Sequence, residues 1–300
     1  MSKQLETMSS PYLDSDRPAV PATRGSDVED RAALLSSEVR AEDVPVFILC
    51  GGLGTRLGGA AAGMPKPMVE IGGKPILAHI MSWYERFGFR RFILCTGYRA
   101  DVISNYFLNY SGLNADFTVD LRGREIWYHQ SEAMPDWEVT IARTGVNAMT
   151  GARLARAAAR FLGDAEHFAL TYGDGLTDAD LGEEFRFHLS HGRIGTVLGV
   201  NPPSQFGEFV FDDGSLAGFM EKPLLVEKWI NGGYFFFRRA FLDYLIDDDA
   251  CILEKEPLGK LAANAQLEVH RYDGYWSCMD TTRDRDQLRG LWESGSAPWK

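Results

Sequence analysis

Cysteine is scarce in this chain, with four in 300 residues at positions 50, 95, 251 and 278 and no Cys-x-x-Cys pair among them. That spacing excludes a disulfide framework and a thiolate zinc site, and the apolar neighbours predict reduced thiols packed in a core. Long apolar runs are missing too. The best continuous one, Val46-Phe47-Ile48-Leu49-Cys50, falls far short of the roughly 20 residues that span a bilayer. The first residues carry acids early and show no apolar leader, so a cytoplasmic location is expected. Positive charge is in deficit: 31 Lys and Arg face 42 Asp and Glu, for a net charge of -11, and no basic stripe interrupts the excess. A nucleic acid polymer and an anionic membrane surface are thereby excluded as partners. A small anion remains open to a site where a few cations converge.

Aromatics are nearly absent from residues 1–43, where Tyr12 stands alone among Ser, Pro, Ala and charged residues. Such a segment cannot bury enough apolar surface to offset its ordering entropy. Residues 1–43 are therefore expected to be a disordered N-terminal extension, with one helical stretch near 32–39. Residues 44–300 form the folded domain.

What is present from Val46 onward alternates between two periods. The run ending at Cys50 reads as a strand buried on both faces. Ile76, Leu77, Ile80, Met81, Tyr84 and Phe87 recur at helical spacing, which places a helix against that strand. A strand at 92–95 and a helix at 101–110 repeat the pattern. Further strands are predicted at 125–129, 138–142, 167–172, 196–200, 208–211, 216–220, 233–237 and 267–272. Helices are predicted at 151–161, 181–190, 240–246, 257–263 and 283–293. The alternation predicts an α/β fold.

Chemistry concentrates at strand ends. The loop Gly51-Gly52-Leu53-Gly54-Thr55-Arg56 follows the first strand, where amides unobstructed by Cβ atoms can approach phosphate oxygens. It is not a Walker A loop, because no Gly-Lys-Ser/Thr closes it, and Leu57 breaks the dinucleotide pattern. An ordinary glycine turn is the plain alternative. Lys66, held between Pro65 and Pro67, adds a second cation of restricted reach. Two cations flanking a glycine loop suit a triphosphate whose departing pyrophosphate gains charge. Asp174, in Tyr172-Gly173-Asp174-Gly175, ends a predicted strand and is a candidate Mg²⁺ ligand; Asp280 is the second. Either aspartate alone could instead be a turn or helix cap. Glu221, Lys222, Asn231 and Gly232 border two further strand ends, as a sugar-phosphate grip or as a salt bridge and a β-turn.

Other features take the plain reading. His188 and His191 have no acidic or Cys partner of metal-site type, so surface histidines are expected. Asp247-Asp248-Asp249 reads as a solvated junction, and Trp83, Trp127 and Trp276 as core residues. Asp178-Ala179-Asp180 spells the Asp-x-Asp of a glycosyltransferase, but follows its strand by several residues.

With these motifs in view, the chain from about Val44 to Lys300 resembles the sugar-phosphate nucleotidylyltransferase family, and within it the cytidylyl branch that acts on glucose 1-phosphate. The glycine loop and Glu221-Lys222-Pro223 mark the wider family. The branch is marked by adding Pro65-Lys66-Pro67-Met68, Met149-Thr150-Gly151, Tyr172-Gly173-Asp174-Gly175, Trp229-Ile230-Asn231-Gly232-Gly233, Met279-Asp280-Thr281 and the closing Ala297-Pro298-Trp299-Lys300. Where relatives carry Trp-Gln-Pro-Met-Asp, this chain has Trp276-Ser277-Cys278-Met279-Asp280.

The resemblance implies a Rossmann-like nucleotide-diphospho-sugar transferase fold with a mixed, mostly parallel central sheet. It implies transfer of CMP from CTP to glucose 1-phosphate, giving CDP-glucose and pyrophosphate, with Mg²⁺ as cofactor and a homo-oligomeric assembly. Arg56, Lys66 and Asp174 become the catalytic residues. Gly51, Gly52, Leu53, Gly54, Thr55, Arg56, Lys66, Thr150, Arg153 and Gly173 become the nucleotide site, and Tyr172, Glu221, Lys222, Asn231 and Gly232 the sugar-phosphate site. Asp174 and Asp280 would hold the metal. Two rivals remain: the same chemistry with another nucleotide or hexose 1-phosphate, and a non-catalytic regulatory subunit that binds sugar nucleotides.

Overall fold

The computed structural model describes residues 39–52, 63–129, 134–201, 208–212, 214–220 and 228–300. Most of the expected N-terminal extension lies outside these residues. Its last part, next to β1 (Val46–Cys50), is a single 3-10 turn at Ala41–Asp43, with Val39 and Ala41 resting on the core.

After β1 come a small hairpin, β2 (Glu70–Ile71) and β3 (Lys74–Pro75), helix α1 (Ile76–Arg86), β4 (Arg91–Thr96), and helices α2 (Ala100–Leu108) and α3 (Tyr110–Asn114). A ribbon of β5 (Asp116–Asp120) and β6 (Glu125–His129) precedes β7 (Glu138–Arg143), α4 (Thr150–Phe161), β8 (His167–Tyr172), β9 (Gly175–Thr177) and α5 (Leu181–His191). The chain continues through β10 (Gly195–Val200), a ribbon of β11 (Glu208–Asp212) and β12 (Ser215–Met220), β13 (Ile230–Arg238), α6 (Glu256–Ala263), β14 (Leu267–Tyr272), β15 (Trp276–Cys278) and α7 (Thr282–Glu293).

Seven strands form the central sheet in the order β14-β10-β13-β8-β1-β4-β7. All run parallel except β13, which is antiparallel to both neighbours, so the sheet is mixed and mostly parallel as expected. Every residue of β1 is buried because helices cover both sheet faces. Alternate side chains divide the core in two. Val46, Ile48, Phe92, Leu94 and Phe236 face α1 and α5, while Phe47, Leu49, Ile93, Phe168 and Phe237 face α4 and α6. The order reverses at β1: β4 and β7 extend one way and β8 lies on the other side, which creates a crevice at the carboxyl ends of β1 and β8 where α/β sheets bind ligands.

Several local expectations change. Residues 240–246, predicted helical, form a 3-10 turn at Arg239–Tyr244. The predicted strand at 125–129 forms as β6 and pairs with β5, an unpredicted strand, in a ribbon apart from the main sheet, and its Trp127, expected in the core, is exposed. Asp247 and Asp249 are not merely solvated: Arg156 pairs with them at 2.5 and 2.7 Å. His188 is buried, because α5 turns its inner face to the sheet. Its Nε2 meets His167 Nδ1 at 3.1 Å and its Nδ1 meets Thr196 Oγ1 at 2.9 Å, and burial drives its pKa down to about 2. Among the described residues, no helix is long and apolar enough to cross a membrane.

Glu184, one turn before His188, is fully buried, and neither carboxyl oxygen has a hydrogen-bond partner among the described residues. Burial pushes its pKa well above the carboxylate range, so it is neutral in the fold, whereas the unfolded chain ionises it above about pH 4.3. Its contribution to stability is therefore fully present below that pH and is lost as pH rises toward the folded pKa. Glu184→Gln should raise Tm relative to the wild type by an amount that grows from pH 5 to pH 8 and vanishes near pH 4. A pH-independent difference in thermal unfolding would contradict this.

Candidate active site

The crevice at the ends of β1 and β8 opens into a cavity of ≈ 580 Å³, whose lining includes Gly51, Gly52, Lys66, Thr150, Arg153, Tyr172, Gly173 and Asp174. These eight sequence-predicted residues come from four separate chain segments. A second cavity of ≈ 180 Å³ adjoins it and shares Tyr172 and Asp174; Asn231, Gly232, Trp276 and Cys278 also line it. Leu53, Gly54, Thr55, Arg56, Glu221 and Lys222 lie outside the described residues.

Strand direction explains the second cavity. Because β13 runs against β8, its beginning lies beside the end of β8, with Tyr234 opposite Thr171. Its pairing with β10 breaks register between Val197 and Gly199, so Gly232 and Gly233 bulge at the crevice. Gly233 has φ +80 and any Cβ there would collide with the Tyr172 ring, so only glycine lets the two walls close. The indole Nε1 of Trp276 donates to Gly232 O at 2.6 Å and fixes the bulge.

Three charged groups meet where the cavities join. Lys66 Nζ lies 2.6 Å from Asp174 Oδ2 and 2.5 Å from Asp280 Oδ1, although these partners are 108 and 214 residues away in sequence. Each is placed by a different device. Lys66 opens a 3-10 turn, Lys66–Met68, whose neighbour Pro67 is buried. Asp174 follows β8. Asp280 is brought alongside by antiparallel pairing of β15 with β9, by Met279 N donating to Asp174 O at 2.9 Å, and by the Asp284 carboxylate, which accepts from Asp280 N at 3.0 Å. The side chains are 12%, 22% and 36% exposed for Lys66, Asp174 and Asp280, so solvent screens them only in part. Burial alone pulls the Lys66 pKa down, but the Asp174 charge and hydrogen bonds to both aspartates outweigh it and leave the pKa raised.

The ammonium stands where two carboxylates aim at one point, and the donor set suits a divalent cation. Ligand atoms of Asp174, Asp280 and Cys278 lie within 4.8 Å of one another. Burial, with Asp174 beside it, pushes the Cys278 thiol up to about 12, so the sulfur stays protonated and two hard carboxylates remain as anionic ligands. Cys278 is thus a half-buried wall of the smaller cavity rather than a core thiol, whereas Cys50, Cys95 and Cys251 are buried, Cys50 at the floor of the larger cavity.

Arg153 has a different place from the one its charge suggests. Its guanidinium is buried and donates to the carbonyls of Gly51, Thr96, Gly145 and Val146 and to Thr144 Oγ1, at 2.7–3.3 Å. It braces Gly51, just past β1, against the ends of β4 and β7. Asp178 and Asp180 are likewise engaged in the fold. Asp178 accepts from Tyr272 Oη at 2.5 Å and Tyr275 N at 2.8 Å, and Asp180 caps α5 through Glu183 N, which removes the glycosyltransferase motif from consideration. Trp276, expected in the core, is a half-buried wall of the smaller cavity, and Glu254 escaped the sequence reading. Glu254 hydrogen-bonds Thr150 and Tyr172, yet in sequence it is one charge in Glu254-Lys255-Glu256.

If Lys66 and a divalent cation compete for the same carboxylates, Lys66→Met should bind Mn²⁺ more tightly than the wild type in the absence of nucleotide. Asp174→Asn should bind it about 10-fold more weakly or worse. Calorimetric titration measures both, and a weaker Lys66→Met complex would contradict the competition.

Comparison with known proteins agrees with this geometry. A family model described as Nucleotidyl transferase matches residues 46–281. The glucose-1-phosphate cytidylyltransferase of Salmonella typhi is 45% identical over 253 residues, covering 84% of this chain and 97% of that protein. The probable glucose-1-phosphate cytidylyltransferase of Bacillus subtilis is 39% identical over 254 residues, covering 84% and 98%. Among solved structures, HddC from Yersinia pseudotuberculosis superposes with a TM-score of 0.58 at 22% identity, covering 83% of this chain and 99% of that one, a likeness of fold. The matched span takes in the crevice, Lys66 and both aspartates, and on it the chain belongs to the nucleotidyl transferase family.

Proposed function

We propose that this chain transfers CMP from CTP to glucose 1-phosphate, forming CDP-glucose and releasing pyrophosphate. The observation that carries the reading is the meeting of Lys66, Asp174 and Asp280 where a cavity of nucleotide size joins a smaller one. The 45% identity to a named glucose-1-phosphate cytidylyltransferase selects the substrates.

The reacting oxygen belongs to the phosphate of glucose 1-phosphate, which is ionised at neutral pH, so no general base is required. It attacks the α-phosphorus of CTP in line. The new P–O bond forms as the bond to the bridging oxygen breaks, and the electron pair leaves with pyrophosphate. The chain's task is to hold two anions together and offset their repulsion. Lys66 supplies positive charge at the junction. The amides of Gly51 and Gly52, with Leu53, Gly54, Thr55 and Arg56, cradle the nucleotide phosphates. Gly173 lets Pro67 pack against the end of β8 beside the nucleotide, where a Cβ would collide with it, and Thr150 and the braced Arg153 complete the wall. Tyr172, Asn231 and Gly232 form the hexose side, with Glu221 and Lys222. Asp174 and Asp280 would hold Mg²⁺, which when bound supplies charge neutralisation on phosphate oxygens. A silent regulatory subunit would not need this set of charges intact. The free thiols fit a cytoplasmic setting.

A homo-oligomer is part of the proposal. The β5–β6 ribbon lies outside the main sheet and exposes Phe117, Val119, Ile126 and Tyr128, which its register places on one face. A two-stranded ribbon is marginal by itself in water, and a second copy of this chain would cover that face. Phe117→Asp with Ile126→Asp should lower the solution mass measured by light scattering, whereas an unchanged oligomer would remove the ribbon from the interface.

Pyrophosphate release should be fastest with CTP and glucose 1-phosphate in a panel of four nucleotides and several sugar phosphates. It should stop with EDTA and be equal for the full chain and residues 44–300. Arg56→Ala or Asp174→Ala should cut turnover by roughly 10²-fold or more. Another preferred pair would reassign the substrates, and no turnover at all would favour the regulatory subunit.

A further inference from the structure

Glu254 precedes α6 on the rim of the crevice, and both of its carboxyl oxygens are engaged. Oε1 accepts from Tyr172 Oη at 2.5 Å, and Oε2 accepts from Thr150 Oγ1 at 2.7 Å. Thr150 belongs to the wall of the larger cavity, and Tyr172 is shared by both. The connection continues on the other side, where Asn231 Nδ2 donates to Tyr172 Oη at 3.5 Å and Asn231 Oδ1 accepts from Gly233 N at 2.8 Å.

The chemistry of these contacts fixes their direction. An ionised carboxylate only accepts, so both hydroxyls must point their hydrogens at Glu254. That leaves a lone pair of Tyr172 Oη for the Asn231 amide, while Gly233 N holds the amide the other way round. Thr150 Oγ1 in turn accepts from Leu253 N at 2.9 Å. The orientation of a smaller-cavity side chain is thus connected, through one aromatic ring and one carboxylate, to the first residue of α4 in the larger cavity.

A role confined to folding explains less. The first turn of α4 is already tied to this segment by backbone bonds: Met149 N to Asp249 O, and Gly151 N and Ala152 N to Cys251 O, at 2.9–3.2 Å. Those bonds hold the helix in place without Glu254. What the carboxylate adds is the connection between Thr150 and Tyr172.

We infer that Glu254 is a positioning residue that couples the two substrate cavities, so that occupancy of one sets the wall of the other. The inference rests on the proposed function for the identity of the ligands. Coupling of this kind is reciprocal and is read as a ratio of affinities.

The test is calorimetric titration of the full chain with glucose 1-phosphate, with and without a CTP analogue carrying a methylene at the α,β bridge. In the wild type the analogue should change the glucose 1-phosphate affinity by about 5-fold or more. In Glu254→Ala the ratio should fall to about 1. In a Tyr172→Phe background, adding Glu254→Ala should have no further effect on that ratio, because the same connection is already broken. A purely structural role would lower Tm and weaken both ligands while leaving the ratio intact, and that result overturns the inference, as does a wild-type ratio near 1. Wild-type protein that binds neither ligand would instead sink the proposed function itself, and the coupling with it.

Discussion

The bridge from Lys66 to Asp174 and Asp280 is the constraint on which the rest of the site depends. Two carboxylates aimed at one partly buried point repel each other, and desolvation strengthens that repulsion. They can be held there only with a cation between them. Among the described residues such a cation is an ammonium whose reach is restricted by flanking prolines and a tight 3-10 turn. The arrangement keeps a strongly acidic corner compatible with folding while leaving its two oxygen ligands directed at a common position.

The sheet exists, functionally, to deliver those groups. Parallel pairing of β1 with β8 puts Gly51 and Asp174 at the same edge. The reversed β13 brings Asn231 and Gly232 to that edge from the opposite chain direction, and the β9–β15 pairing swings Asp280 in from near the C-terminus. A fully parallel sheet would start β13 at the far edge and leave the smaller cavity without a wall. Buried supports then hold the edge rigid. Arg153 joins four carbonyls, that of Gly51 among them, and a hydroxyl, and Trp276 holds the bulge at Gly232. These contacts lie behind the cavity walls, and preorganised electrostatics requires such support.

Tyr172 shows how one residue serves both halves. Its ring closes on Gly233, where no Cβ fits, and its hydroxyl joins Glu254 to Asn231. Burial and the adjacent Glu254 carboxylate both raise the phenol's pKa, so it remains a hydrogen-bond donor across the working pH range. A wall built from a single shared side chain costs independence, since neither cavity can relax without moving the other. For a reaction that needs both substrates aligned, that loss is useful.

By itself the sequence determined the α/β alternation, the strands that carry Gly51, Asp174 and Asn231, and the identity of the charged groups, because periodicity and turn chemistry are local properties. It misread His188, which has helical spacing but whose helix face is set by packing, and it missed β5, the partner of the correctly placed 125–129 strand, because β5 has only a short mixed pattern. Glu254 was invisible, since nothing within ten residues hints at Thr150 or Tyr172. Only the tertiary structure decided which strand reverses, that Arg153 braces carbonyls, and that Asp280 comes within reach of Lys66. Those outcomes depend on contacts across 57, 102 and 214 residues of chain, and the free energy of such contacts belongs to the assembled sheet rather than to any segment of it.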